Sequence, residues 1–129
     1  MNISRRLRIL AVLAVVFGAL TLFSGGRALF GGAQAQAAVG NAVGFVLWFN
    51  FLAGFAYVLA GVGLWQGRRW AVAAAGLLAL ATSLVALAFG LQVMSGAAYE
   101  MRTVGALTLR LAFWTLVFAM ARRALKPAP

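Results

Sequence analysis

Residues 103–121 read TVGALTLRLAFWTLVFAMA, a hydrophobic run that contains a single charged side chain, Arg110. Without the part up to Arg110, the remaining residues 111–120 are too few to cross a bilayer, which takes about 20. If the whole run spans, Arg110 lies roughly 10 Å below one edge of a hydrocarbon core about 30 Å thick. A central arginine costs about 2.5–3.5 kcal/mol, whereas the eight leucine, valine and phenylalanine residues of the run together contribute roughly 2.4–4.8 kcal/mol. We therefore expect this helix to insert with little margin and to hide Arg110 against other helices.

The amino-acid composition indicates a membrane protein. Of its 129 residues, 65% are hydrophobic and only 9% are charged, whereas a soluble domain has about 25% charged residues. We therefore expect an integral membrane protein that forms one domain over residues 1–129.

The missing residue types restrict the chemistry that this chain can perform by itself. It has no cysteine, no histidine and no aspartate, and its one acidic residue is Glu100. Disulfides, zinc sites, histidine-ligated haem, Ser-His-Asp triads and carboxylate dyads cannot be built from such a set. The sequence thus predicts a protein that is not an enzyme, with no catalytic residue, cofactor or bound metal.

Hydrophobic runs predict four transmembrane helices, at about residues 7–24, 42–65, 71–94 and 103–121, in an all-α fold of two antiparallel hairpins. Small and polar residues between the first two spans predict a long loop over 25–41. A cleaved signal peptide is the alternative for the first span, because residues 35–37 read AQA. That site lies unusually far beyond the hydrophobic run, which favours a retained helix.

The basic residues lie at the ends of the hydrophobic runs, where they act as topology signals and do not form a nucleic-acid-binding face. The net charge is +10. Arg27 and Arg102 lie on one side of the predicted membrane, and the other side holds Arg5, Arg6, Arg8, Arg68, Arg69, Arg122, Arg123 and Lys126. This asymmetry places both termini in the cytoplasm. The richness in arginine, alanine and glycine suggests a bacterium, and hence a multi-pass protein of the bacterial inner membrane.

Small residues recur at every fourth position of the third span, as Ala71, Ala75, Ala79 and Ser83, and a second set holds Thr82, Ala86 and Gly90. Small side chains on one helix face let backbones approach closely. We therefore expect the third helix to be the central packing helix. Gly40 and Gly44 form a GxxxG pair at the start of the second span, which is weak evidence in so alanine-rich a chain.

Arg110 and Asn50 are the first candidate site, for a ligand or for helix packing. Counted along their helices, both lie at about the same depth, and an amide oxygen can accept a hydrogen bond from a guanidinium. The sequence predicts that they face each other. The alternative is that Asn50 bonds only to a neighbouring backbone carbonyl.

Two further groups lie at the predicted membrane surfaces. In the turn between the second and third spans, Trp65, Arg68, Arg69 and Trp70 form a pattern typical of a lipid headgroup anchor. The outer rim holds Gln92, Glu100 and Arg102, and Glu100 is placed where a carboxylate stabilises the positive end of the fourth helix.

These patterns favour a non-catalytic accessory or scaffold subunit of a larger membrane complex. Its partners would be membrane lipids and another membrane protein or a second copy, without nucleic acid. The alternative is a small oligomeric transporter or channel for an anion or polar solute, with Arg110 and Asn50 lining the path. The surroundings of Arg110 distinguish the two, since a dry clamp of side chains favours a scaffold and a water-filled cleft favours transport.

Overall fold

The computed structural model describes residues 5–34, 37 and 44–125, and these residues contain four long helices. They are α1 (Arg5–Phe30), α2 (Gly44–Trp65), α3 (Trp70–Met94) and α4 (Met101–Ala124). Each is long and apolar enough to cross a membrane, so the all-helical class predicted from sequence is confirmed. Gly40, most of the AQA sequence and Lys126 lie outside the described residues.

Helices α1, α3 and α4 bury mainly residues separated alternately by three and four positions, whereas α2, which packs between α1 and α3, buries a wider face. This spacing keeps one face of a helix against its neighbours over many turns and is typical of left-handed bundles. In α1 the seam holds Leu7, Ala11, Ala14, Gly18, Thr21 and Gly25, and in α4 it holds Leu107, Arg110, Trp114, Val117 and Ala121.

The most extensive interface joins α1 to α2. A Cβ atom added at Gly18 would lie 2.7 Å from Val58 Cγ2, and one added at Gly61 would lie 2.7 Å from Val15 Cγ2. Both positions therefore need glycine because the opposing helix occupies the space of a side chain. The contacts join the start of α1 to the end of α2, and Gly25 meets Phe51 at the other end of the pair.

The other interfaces are smaller, in the order α3 with α4, then α2 with α3, and last α1 with α4. The prediction that α3 is the central packing helix is therefore wrong. Ala71 and Ala75 are buried, but Ala79 is half-buried and Ser83 is exposed. Four residues turn a helix by more than a full circle, so a row at every fourth position rotates away from the interface.

Helix α1 continues to Phe30, beyond the predicted start of the loop at Gly25. The ring of Phe30 packs edge-to-face against Trp48 and Phe51, with centroid distances of 5.6 Å to each. These aromatic contacts with α2 hold the last turns of α1 in place, although Gly25 and Gly26 in those turns disfavour a helix.

Two glycine turns end α2 and α3. The N–H of Arg68 donates to the carbonyl of Gly63 at 2.9 Å, and that of Gly67 donates to Leu64 at 3.0 Å. This pair of bonds is a Schellman motif, and Gly67 adopts the left-handed φ of +70° that it requires. The same arrangement recurs at Gly96, with φ +97°.

Candidate functional site

Arg110 points into the bundle, where only 9% of its surface is exposed. It lies on the buried seam of α4 between Leu107 and Trp114, so the helix phase alone directs it toward the other helices. The sequence-based expectation that Arg110 is hidden against the other helices is met.

The guanidinium of Arg110 contacts two residues of α1. Its Nη2 donates a hydrogen bond of 3.1 Å to Thr21 Oγ1, and its Cζ lies 5.0 Å from the centre of the Phe17 ring. A cation over an aromatic face is stabilised by about 2 kcal/mol or more where water is excluded. Arg110 thus joins α4 to α1, whose backbone interface is much smaller than the interface of α4 with α3.

Phe17 also belongs to a closed circle of four aromatic side chains, which we call the aromatic box: Phe17, Tyr57, Trp114 and Phe113. Going round the box, the centroid distances are 5.3, 5.0, 5.1 and 5.4 Å. Tyr57 and Trp114 are fully buried. The box brings together α1, α2 and α4 near the middle of each helix.

Among the described residues, four buried polar side-chain atoms have no hydrogen-bond partner, and three of them belong to Arg110 and the aromatic box. They are Arg110 Nε, Tyr57 OH, Trp114 Nε1 and Asn50 Oδ1. The Tyr57 hydroxyl lies close to both Arg110 and Trp114, but neither contact has hydrogen-bond geometry. The guanidinium of Arg110 and the indole N–H of Trp114 therefore both approach one hydroxyl oxygen, in a buried region where unmade hydrogen bonds are costly.

No acidic side chain neutralises Arg110. The chain's one acidic residue is Glu100, and ten residues along a helix separate the two by about 15 Å. The site therefore presents a positive charge and N–H donors, which suit groups that accept hydrogen bonds or carry negative charge.

The predicted hydrogen bond between Arg110 and Asn50 is not formed, since Arg110 donates to Thr21 and Asn50 Oδ1 accepts no bond. Thr21 offers a hydroxyl acceptor that is fixed on the buried seam of α1. The ring of Phe17 lies one helical turn away and stacks on the same guanidinium, so the two contacts act together.

The other predicted groups lie at the ends of the helices. Trp65, Arg68, Arg69 and Trp70 are all exposed around the α2–α3 turn, and the guanidinium of Arg8 lies 5.1 Å from the Trp65 ring. Glu100 directly precedes α4, where the sequence placed it, with no hydrogen bond from its side chain to the helix end. Gln92 and Arg102 are exposed.

Sequence reasoning missed the residues that hold Arg110. Phe113 and Trp114 follow Arg110 by three and four positions, so the period of the helix could have placed them beside it. Thr21 could have been singled out as the one hydroxyl inside the apolar core of the first span. Phe17 and Tyr57 have no comparable signal, because their positions depend on how α1 and α2 pack. No protein-family model, curated protein or solved structure matches the chain.

Proposed function

We propose that this protein is a non-catalytic accessory or scaffold subunit of a larger complex in the bacterial inner membrane. Its four helices would cross the bilayer as two antiparallel hairpins with both termini in the cytoplasm. The asymmetry of the basic residues supports this orientation. The contacts of Gly18, Gly25 and Gly61 across α1 and α2 fit an antiparallel pair.

The observation that carries the proposal is the enclosure of Arg110 by the chain's own side chains. Its hydrogen bond to Thr21 and its contact with the ring of Phe17 both lie inside the bundle, on α1. An arginine used in this way joins helices, which supports a structural role. The shortage of acid–base and metal-binding residue types in the chain supports the same conclusion.

The outward face of α4 supports docking of a helix from a partner subunit. The outward faces of the other three helices carry large side chains, such as the row Leu77, Leu80, Leu84, Leu87 and Leu91 on α3. The face of α4 directly opposite its buried seam carries small residues instead: Gly105, Thr108, Ala112, Thr115 and Ala119, all exposed. Small residues let two helices pack closely within a membrane, where lipid tails are as apolar as leucine.

Purification in mild detergent tests this proposal by comparing the wild-type protein with a variant of the outward face of α4. We expect the tagged protein to elute with a membrane-protein partner in constant ratio. Ala112→Phe, which enlarges the small face, should lose that partner. The matched variant Leu84→Phe changes an exposed position of α3 and should keep it.

A protein that elutes at the mass of a single chain would contradict the proposal. So would equal retention of the partner by the two variants. A complex of two copies of this chain would identify the partner as the protein itself.

A second candidate function is a path for an anion or polar solute, with Arg110 and Asn50 lining it in an oligomer. The unmade hydrogen bonds of Arg110 Nε, Trp114 Nε1 and Asn50 Oδ1 favour it, as does a buried cation without a carboxylate partner. Flux of chloride into liposomes tests it. Arg110→Met should abolish the flux if the path exists, and an Arg123→Met protein should conduct normally.

A further inference from the structure

A groove on the outside of the bundle lies where α1 begins and α2 ends. It has a volume of about 440 Å³. Its walls are Arg5, Arg8, Ile9, Val12, Leu13 and Trp65. Ile9, Val12 and Leu13 are each about half exposed, at 52, 49 and 48%, so the floor of the groove is apolar and accessible.

Along the groove the lining side chains change from basic to aromatic to apolar. The two arginines lie at the start of α1, Trp65 is beside Arg8, and the apolar residues follow one and two turns further along the helix. The guanidinium of Arg8 stacks on the Trp65 ring at 5.1 Å, which restrains a long side chain that would otherwise be mobile. Arg5 is on the same face one turn earlier, so two cations point to one place.

We propose that this groove binds one anionic phospholipid. The phosphate would lie between Arg5 and Arg8, Trp65 would lie at headgroup level, and an acyl chain would follow Ile9, Val12 and Leu13. This order of charge, indole and apolar surface is the order of the parts of a phospholipid at a membrane surface. The inference rests on the proposed insertion of the helices into a bilayer.

Charge complementarity selects an anionic lipid over a zwitterionic one. Two cations line the groove, and the chain's one acidic side chain, Glu100, precedes α4 and does not line it. A zwitterionic headgroup would bring its own cation next to these arginines. A guanidinium can also bind two phosphate oxygens at once, which makes arginine well suited to this contact.

Native mass spectrometry of the full chain in mild detergent tests the inference. The protein is titrated with phosphatidylglycerol or with phosphatidylcholine of the same acyl chains. We expect one phosphatidylglycerol to bind with preference over phosphatidylcholine. Arg5→Gln with Arg8→Gln should weaken its binding about tenfold or more, since the double variant removes both cations that would contact the phosphate. The matched double variant Arg122→Gln with Arg123→Gln removes the same charge away from the groove and should bind like the wild type.

A second variant separates the groove from the charge. Val12→Trp keeps every arginine and fills the apolar floor, and it should also lose the bound lipid. Adding glycerol phosphate in excess should leave the lipid bound, because the acyl chain contributes to binding; full displacement would mean that the site takes a phosphate group alone and would overturn the lipid assignment.

Equal binding of the two lipids, or an equal loss of bound phosphatidylglycerol in the two double variants, would overturn the proposed lipid site in the groove. Neither result would contradict the proposed insertion into the membrane. Failure of the protein to enter lipid vesicles at all would overturn the membrane proposal itself. The two failures therefore give different results.

Discussion

At the scale of single residues, this protein depends on how one buried arginine is satisfied. Within the part of the chain that the structure describes, Arg110 donates one hydrogen bond, to Thr21, and has one ring contact, with Phe17. Its Nε has no partner, so the site is held by few contacts in surroundings that exclude water. Each of them should matter more than a similar contact at a surface.

Removing the hydroxyl of Thr21 should destabilise the bundle. Thr21→Val keeps the shape of the side chain but leaves the guanidinium without its acceptor. We expect the free energy of unfolding in detergent to fall by about 1 kcal/mol, within the range measured for hydrogen bonds in membrane proteins. Thr115→Val, which changes an exposed position of α4, is the control and should leave it nearly unchanged. Equal effects would mean that the Arg110 bond is not made.

Replacing Arg110 by an apolar residue should separate its structural and functional roles. Arg110→Met keeps a long, flexible side chain and removes a buried charge that has no acidic partner, so it also removes the cost of keeping that charge away from water. We expect the variant to fold, to melt at or above the wild-type temperature and to retain its partner. A folded variant that lost its partner would contradict the scaffold role proposed for the bundle.

At the scale of helices, the close approach of α1 and α2 depends on glycines in those two helices. In the sequence, by contrast, the recurrence of small residues singles out α3. Around Gly18, the atoms nearest to an added Cβ include backbone atoms of Gly54 and Val58, at 2.9 Å each. Backbone cannot rotate aside as a side chain can. The two helices would therefore have to move apart.

Adding one methyl group at this contact should loosen the α1–α2 pair. Gly18→Ala should lower the free energy of unfolding by about 1–3 kcal/mol, the usual cost of overpacking. Gly90→Ala is the matched control, because an added Cβ there meets nothing within 4 Å, and it should be neutral or slightly stabilising. Thermal unfolding followed by circular dichroism measures both, and equal melting temperatures would show that α1 and α2 are less closely packed than described.

At the scale of the whole molecule, the distribution of charge predicts which ends of the helices face the cytoplasm. The α2–α3 turn holds Arg68 and Arg69, whereas the α3–α4 loop holds the acidic Glu100 and one arginine, Arg102. Basic loops stay on the cytoplasmic side. The two loops should therefore differ in access from outside the cell.

Labelling of single cysteines checks this orientation cleanly because the chain has no cysteine of its own. Gln66→Cys and Ala98→Cys each place a thiol at an exposed loop position. In intact spheroplasts, a membrane-impermeant maleimide should label Ala98→Cys at once and Gln66→Cys only after the membrane is opened. The reverse pattern would invert the topology, and labelling of both would contradict a sealed four-span arrangement.

The sequence by itself determined the helices and the direction of Arg110. Continuous apolar stretches bounded by basic residues and glycines are local properties, so four long helices could be predicted, with boundaries close to those observed except at the end of α1, which continues to Phe30. The inward direction of Arg110 followed from the cost of exposing one cation to an apolar medium, whichever helices surround it. The orientation in the membrane is likewise predicted from the positions of the basic residues in the sequence, without reference to the tertiary structure.

Only the tertiary structure decided which residues meet. The exchange of Asn50 for Thr21 as the partner of Arg110, the aromatic box and the glycine contacts of α1 with α2 all depend on the rotation of each helix about its axis. That rotation is set by packing along a seam with alternating steps of three and four residues, summed over the whole bundle. Depth along a helix can be counted from sequence, but the relative rotation of two helices cannot, because it depends on every contact between them.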